Sequence, residues 1–169
     1  MRAISLKRPV QGATFDMTPA PQLSYNSPVG DLTLSEDDGA IVALDFGRGM
    51  TQTRTALLDA AVQQLAAYFD GSLTRFDLPL APHGTDFRKK VWDLMRAIPY
   101  GATRSYADLA RDLDSAPRAI GGACGANPIP VIIPCHRVLA AGGRLGGYSG
   151  GEGAATKVAL LRLEGALAL

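Results

Sequence analysis

Cys135 and His136 stand side by side in this chain of 169 residues, and they are where it can do chemistry. A free thiol with a pKa of about 8.5 is only a few per cent thiolate at neutral pH, and a neighbouring base or cation raises that fraction. A cysteine followed by a histidine therefore fits a nucleophile with its base. Adjacency in sequence is not contact in space, however, and the commoner fate of such a pair is a small buried hydrophobe next to a satisfied polar residue. A zinc site does not fit. The only other candidate ligands of these types are Cys124 and His83, with no CxxC or HxxxH spacing. Two cysteines are also too few for a disulfide framework, and Cys124 reads most simply as a packed small residue.

The pair lies near the end of the run Asn127-Pro-Ile-Pro-Val-Ile-Ile-Pro-Cys-His-Arg-Val138, whose apolar, proline-bounded part reads as a strand delivering the cysteine. Upstream, residues 23–46 read as an antiparallel meander of three short strands, 23–27, 31–36 and 40–46. Pro28-Val-Gly30 and Asp37-Asp-Gly39 supply the turns. Over 52–69 the apolar positions Leu57, Ala61, Leu65, Tyr68 and Phe69 recur at helical spacing, and Asp70-Gly71 stops the helix. Prolines 79 and 82 make 76–82 a connector rather than a central strand. Thr85 caps a helix with the stripe Phe87, Val91, Leu94, Met95 and Ile98. Ser105 and Asp108 form a capping box for a short helix that buries Tyr106, Leu109, Ala110 and Leu113. Pro117 opens a second short helix, closed by Asn127-Pro128, which makes a helix-turn-helix candidate; many such pairs bind nothing. A final helix over 154–163 faces Val158 and Leu161 inward. The fold class is α+β: a small N-terminal antiparallel sheet with a covering helix, then a mostly helical C-terminal lobe. The expected organisation is a loosely held leader over 1–20, an N-terminal lobe over 21–82 and a C-terminal lobe over 83–169.

With 47% hydrophobic and 20% charged residues, intrinsic disorder, collagen-like repeats and coiled coil are excluded. A chain of this length buries about 70% of its unfolded surface and needs no staple to fold. No apolar run approaches the ~20 residues of a membrane span. Residues 1–21 mix Arg2, Lys7 and Arg8 with prolines and lack the apolar stretch of a secretory signal, so a cytoplasmic protein is expected. Residues 1–84 carry 6 Lys+Arg against 9 Asp+Glu, and residues 85–169 carry 11 against 7. The second half, at net +4, is the better partner for a polyanion such as nucleic acid.

The ordered motifs Ile98-Pro-Tyr-Gly101, Ser105-Tyr-Ala-Asp-Leu-Ala110, Arg118-Ala-Ile-Gly-Gly-Ala123, Pro134-Cys-His-Arg-Val138, Gly147-Tyr-Ser-Gly-Gly151 and Leu160-Leu-Arg-Leu-Glu-Gly165 resemble the O6-alkylguanine-DNA alkyltransferases. The resemblance is dense from about residue 85 to 165 and covers the N-terminal lobe in outline, where it implies a ribonuclease H-like unit. It implies that Cys135 attacks the alkyl carbon on guanine O6 and keeps it as a thioether. Water cannot hydrolyse a thioether, so the protein is consumed in one turnover. Glu164 would orient His136, which deprotonates Cys135 through a water, and Tyr106 would donate to the leaving base. Tyr148 and Ser149 would wall the pocket and offer a backbone N–H to O6, the carbonyls of Val138 and Cys135 would hold the exocyclic amine, and Pro130 would form the apolar wall. Lys157 matches a pocket residue, and Asn127 the hinge tying the helix pair to the cysteine.

Because the target atom lies inside the duplex, the resemblance implies base flipping, with Arg118 as the finger that enters through the minor groove. Ala119 and Gly122 would permit close approach, and Arg137 would join the DNA contacts. No cofactor and no metal are implied, since both cysteines lie outside the N-terminal lobe where some members carry zinc ligands. The implied partner is double-stranded DNA carrying O6-alkylguanine, met by a monomer with no membrane attachment, nucleoid-associated if the source is bacterial; cooperative binding along DNA stays open. Two alternatives also stay open: a sensor that flips alkylated bases without repairing them, and a Cys-His thiol enzyme acting on small molecules.

Overall fold

The computed structural model describes residues 18–168, so all but the last three residues of the expected leader lie outside it. Strands β1 (Gln22–Ser27), β2 (Gly30–Asp37) and β3 (Ala40–Phe46) form an antiparallel sheet in that order. The β2–β3 turn needs two residues with positive φ, supplied by Asp38 (46°) and Gly39 (75°), a pairing that suits the right-handed twist of a hairpin. Leu32 and Leu34 of β2 and Ile41 and Leu44 of β3 are buried. Helix α1 (Ala56–Phe69) packs on this sheet and starts at Ala56 because the Thr55 side chain caps the amide of Leu58. Its inward stripe is Leu58, Ala61, Leu65 and Tyr68; Leu58 rather than Leu57 faces the core. The 76–82 connector pairs with the sheet at Leu80, opposite Ile41 of β3, between the prolines that keep it from continuing as a strand.

Helix α2 (Asp86–Arg96) is capped by Thr85 and buries Val91, Trp92 and Met95. Trp92 lies outside the predicted stripe, yet its indole N–H donates to the Ala123 carbonyl at 2.9 Å and ties α2 to the second helix of the helix pair. That pair is α3 (Tyr106–Asp112), with the expected Ser105–Asp108 capping box, and α4 (Pro117–Gly125), with Pro117 in its first turn. Just before α3, β4 (Arg104–Ser105) runs parallel to β5 (Val138–Leu139), a two-residue ladder that joins the helix pair to the segment after the cysteine. Helix α5 (Ala154–Leu163) buries Thr156, Lys157, Leu160 and Leu161, while Val158 is only half-buried.

The run before Cys135 is not a strand. It folds into a tight buried turn in which Pro130 bridges Ile133 and Val131 takes a positive φ of 71°. A β-branched residue rarely adopts that backbone, so the surrounding packing must enforce it. Among the described residues no helix is long and apolar enough to cross a membrane.

Candidate active site

Asn127 holds the turn closed. Its side-chain amide donates to the Ile133 carbonyl at 2.8 Å, and its side-chain oxygen accepts the Ile129 N–H at 3.0 Å. From the sheet, the Leu44 N–H of β3 donates to the Pro128 carbonyl at 2.9 Å. The turn leads into a single 3-10 turn, Cys135–Arg137, that places all three side chains inside the protein.

Burial pushes the Cys135 thiol up, although an Asn127 hydrogen bond, the charge of Lys157 and the amides of Cys135 and His136 oppose the rise. The resting group is thus a neutral thiol that needs a base at the moment of attack. His136 is fully buried, and burial pushes its pKa down, so at neutral pH its imidazole is uncharged. Its Nε2 lies 2.8 Å from Glu164 Oε1. Burial raises the Glu164 carboxyl, but hydrogen bonds from His136 and Arg137 outweigh this and bring it down to about 2. Facing an ionised carboxylate, Nε2 must carry the proton, which leaves Nδ1 as the basic nitrogen. That atom is buried and has no protein hydrogen-bond partner among the described residues.

Arg137 corrects one expectation. Rather than facing DNA, it is buried, donating Nε and Nη2 to Glu164 at 2.9 and 2.8 Å and Nη1 to the Ile98 carbonyl at 2.7 Å. The guanidinium fork matches a carboxylate bidentately, and a buried carboxylate as low as this one needs such a partner.

A cavity of about 720 Å³ opens onto Cys135, inside the usual range for small-molecule sites. Tyr106, Arg118, Tyr148 and Ser149 are among the residues that line it. Sequence reasoning missed Cys124, Gly121 and Gly125 of α4 and Ala107, Ala140 and Ala141, which also line it; their shared signal is small size. Burial raises the Tyr106 phenol to about 12 and also pushes Tyr148 up, so both hold their protons at neutral pH. Pro130 corrects a second expectation: it belongs to the turn and is not among the lining residues. Val138 and Lys157 lie behind the wall, fully buried, with Lys157 Nζ donating to the Val138 carbonyl at 2.7 Å and standing 5.8 Å from the Tyr106 ring centre.

The loop bearing Tyr148 is braced by the sheet, where Phe46 of β3 meets the Tyr148 ring edge-on at 6.5 Å. On α4, Arg118, Ala119 and Gly122 are exposed. A Cβ added at Gly121, Gly122 or Gly125 would meet nothing within 4 Å, so packing inside the chain does not demand glycine there. What these glycines leave is a bare helix face open to close approach from outside.

A small sheet-and-helix layer braces a helix pair, beside which a buried Cys-His-Glu arrangement opens into a pocket lined by α4; this is the site of a thiol-bearing protein whose ligand pocket adjoins a helix pair. The family model described as 6-O-methylguanine DNA methyltransferase, DNA binding domain, matches residues 86–166, and the one described as its ribonuclease-like domain matches 23–82. The chain is 40% identical over 151 residues to the methylated-DNA--protein-cysteine methyltransferase of Methanosarcina acetivorans, covering 83% of this chain and 96% of that protein. It is 44% identical over 153 residues to the protein of that name from Mycobacterium tuberculosis, covering 83% and 90%. A crystal structure of Mycobacterium tuberculosis OGT in complex with DNA superposes with a TM-score of 0.77 at 42% identity, covering 85% of this chain and 92% of that one. The chain belongs to the 6-O-methylguanine DNA methyltransferase family, and it is a methylated-DNA-[protein]-cysteine S-methyltransferase with an α+β fold.

Proposed function

We propose that the protein flips O6-alkylguanine out of double-stranded DNA and moves the alkyl group irreversibly to Cys135. The observation that carries this is a buried, neutral thiol opening onto the cavity beside a neutral histidine whose partner is an ionised carboxylate. The Cys135 proton passes through a water to His136 Nδ1, and the sulfur attacks the alkyl carbon. A C–S bond forms, the C–O6 bond breaks, and its electron pair stays on guanine, where the Tyr106 hydroxyl stabilises the developing charge. Glu164 fixes the tautomer, Asn127 the turn, and Ser149 and Tyr148 the pocket wall. A damaged base is extruded at a cost of a few kcal/mol. The exposed Arg118 fills its place from the minor groove while Ala119 and Gly122 allow α4 to come close. Lys157, bound to the Val138 carbonyl, holds the floor of the pocket. The protein acts as a monomer, with residues 21–82 bracing and 83–169 carrying the chemistry.

Intact mass with peptide mapping, after mixing with a short duplex containing one O6-methylguanine, tests this. The expected result is one methyl group in place of a hydrogen, on Cys135, saturating at one per chain, with Cys135→Ala binding the duplex unmodified. Duplex bound with no adduct on the wild-type chain would instead indicate a sensor, and neither adduct nor binding a small-molecule thiol enzyme.

A further inference from the structure

We propose that Tyr68, from the sheet-and-helix layer, is a positioning residue for the transfer step; this rests on the alkyl-transfer reading above. Tyr68 is the last inward residue of α1 and is 1% exposed. Its hydroxyl donates to Glu164 Oε1 at 2.7 Å across 96 residues of sequence. The same oxygen accepts from His136 Nε2 and from Arg137 Nη2, each at 2.8 Å. Tyr68 therefore acts on the very atom that sets the histidine tautomer.

Two features make this more than packing. Glu164 is the residue at which α5 ends, and Gly165, with a φ of 73°, follows it, so the backbone holds this carboxylate less firmly than a mid-helix position would. Arg137 grips the carboxylate in the plane of its fork, and Tyr68 adds a donor from a separate element. The ring carrying that donor cannot swing away, because Phe69, Phe76 and Tyr100 surround it at centroid distances of 5.1, 5.3 and 6.1 Å. Burial raises the Tyr68 phenol far above its ordinary value, so it remains a donor at any working pH. The groups facing Glu164 are then Tyr68, Tyr100, His136 and Arg137, and among these only His136 changes protonation during the reaction.

Tyr68→Phe in the full chain keeps the ring and removes only the donor. Single-turnover methyl transfer at saturating duplex is expected to slow roughly ten- to a hundredfold, the worth of one hydrogen bond to a charged group. DNA affinity should stay within about twofold of wild type, separating chemistry from binding. The nitrogen NMR shifts of His136, read without substrate, should move from a single Nε2–H tautomer towards a mixture. An unchanged transfer rate together with an unchanged imidazole spectrum would overturn the proposal. Should the variant lose its fold, the wild-type chain still decides: a slowly exchanging Tyr68 hydroxyl proton, shifted downfield by its carboxylate acceptor, is expected, and a rapidly exchanging one would overturn it. If the wild-type chain transfers no methyl at all, the alkyl-transfer reading fails while the imidazole comparison still tests the positioning.

Discussion

A buried thiol held above its ordinary pKa is inert until its proton leaves, and an imidazole accepts that proton only while it is itself uncharged. The pH dependence of both rate and stability follows from this. Transfer is expected to be level from neutral pH upwards and to fall on acidification with a midpoint below the ordinary histidine value of 6.5, because burial depresses His136. For stability, the unfolded chain takes up the histidine proton near 6.5 while the folded chain resists it, so acidification through that range favours unfolding. Glu164 acts in the same direction at lower pH. Its ionised form stabilises the fold fully above the ordinary value of 4.5, and that contribution is lost as pH falls towards about 2. Denaturant melts at a series of pH values should therefore show stability falling from about pH 6.5 downwards and steepening below 4.5. A His136→Gln variant should flatten the upper part of that fall. A curve level down to pH 4.5 would contradict the buried neutral histidine.

Helix α4 presents a single long side chain, Arg118, to the cavity, with Gly121, Gly122 and Gly125 leaving open space behind it. Gly122→Leu should accordingly leave the fold and thiol reactivity intact while weakening duplex binding about tenfold or more, as measured by fluorescence anisotropy; each 1.4 kcal/mol of lost contact is one such factor. Arg118→Ala should slow repair in duplex DNA far more than attack on the free alkylated base, and equal losses would rule out the proposed finger role. This element was legible in the sequence because Pro117, the Ser105–Asp108 box and the Asn127-Pro128 stop are local signals. The three strands were legible for the same reason, through alternation and Asp-Gly turn chemistry. The run before Cys135 was not: three β-branched residues between prolines look like a strand, and only tertiary packing puts Val131 at positive φ. Arg137 was expected among the DNA contacts, and nothing local to it announces its carboxylate partner 27 residues away. Tyr68 carried helical periodicity alone, and nothing local announces a partner 96 residues downstream.

At the scale of the whole molecule, the N-terminal layer reaches the chemistry by three routes: Tyr68 of α1 to Glu164, Leu44 of β3 to the Pro128 carbonyl, and Phe46 of β3 to the Tyr148 loop. The last is tight enough to test by overpacking. A Cβ on Gly150 would lie 2.4 Å from the Phe46 ring and 3.0 Å from the Tyr148 ring, distances that force something to move. Tyr148 and Ser149 line the cavity, so the movement falls on the pocket wall. Overpacking of this kind costs about 1–3 kcal/mol. Gly150→Ala should lower transfer at saturating duplex by roughly tenfold, since misplacement of a positioning group is felt strongly in the reaction rate. Shortening the obstructing ring with Phe46→Ala removes the clash but also the brace, so by itself it should slow transfer modestly. Combined, the two substitutions should cost less than the sum of the two separately, because residues in contact are energetically coupled. Strict additivity in that double-mutant cycle would mean that the sheet does not set the pocket wall, and that the N-terminal layer contributes to the reaction through Glu164 and the turn alone.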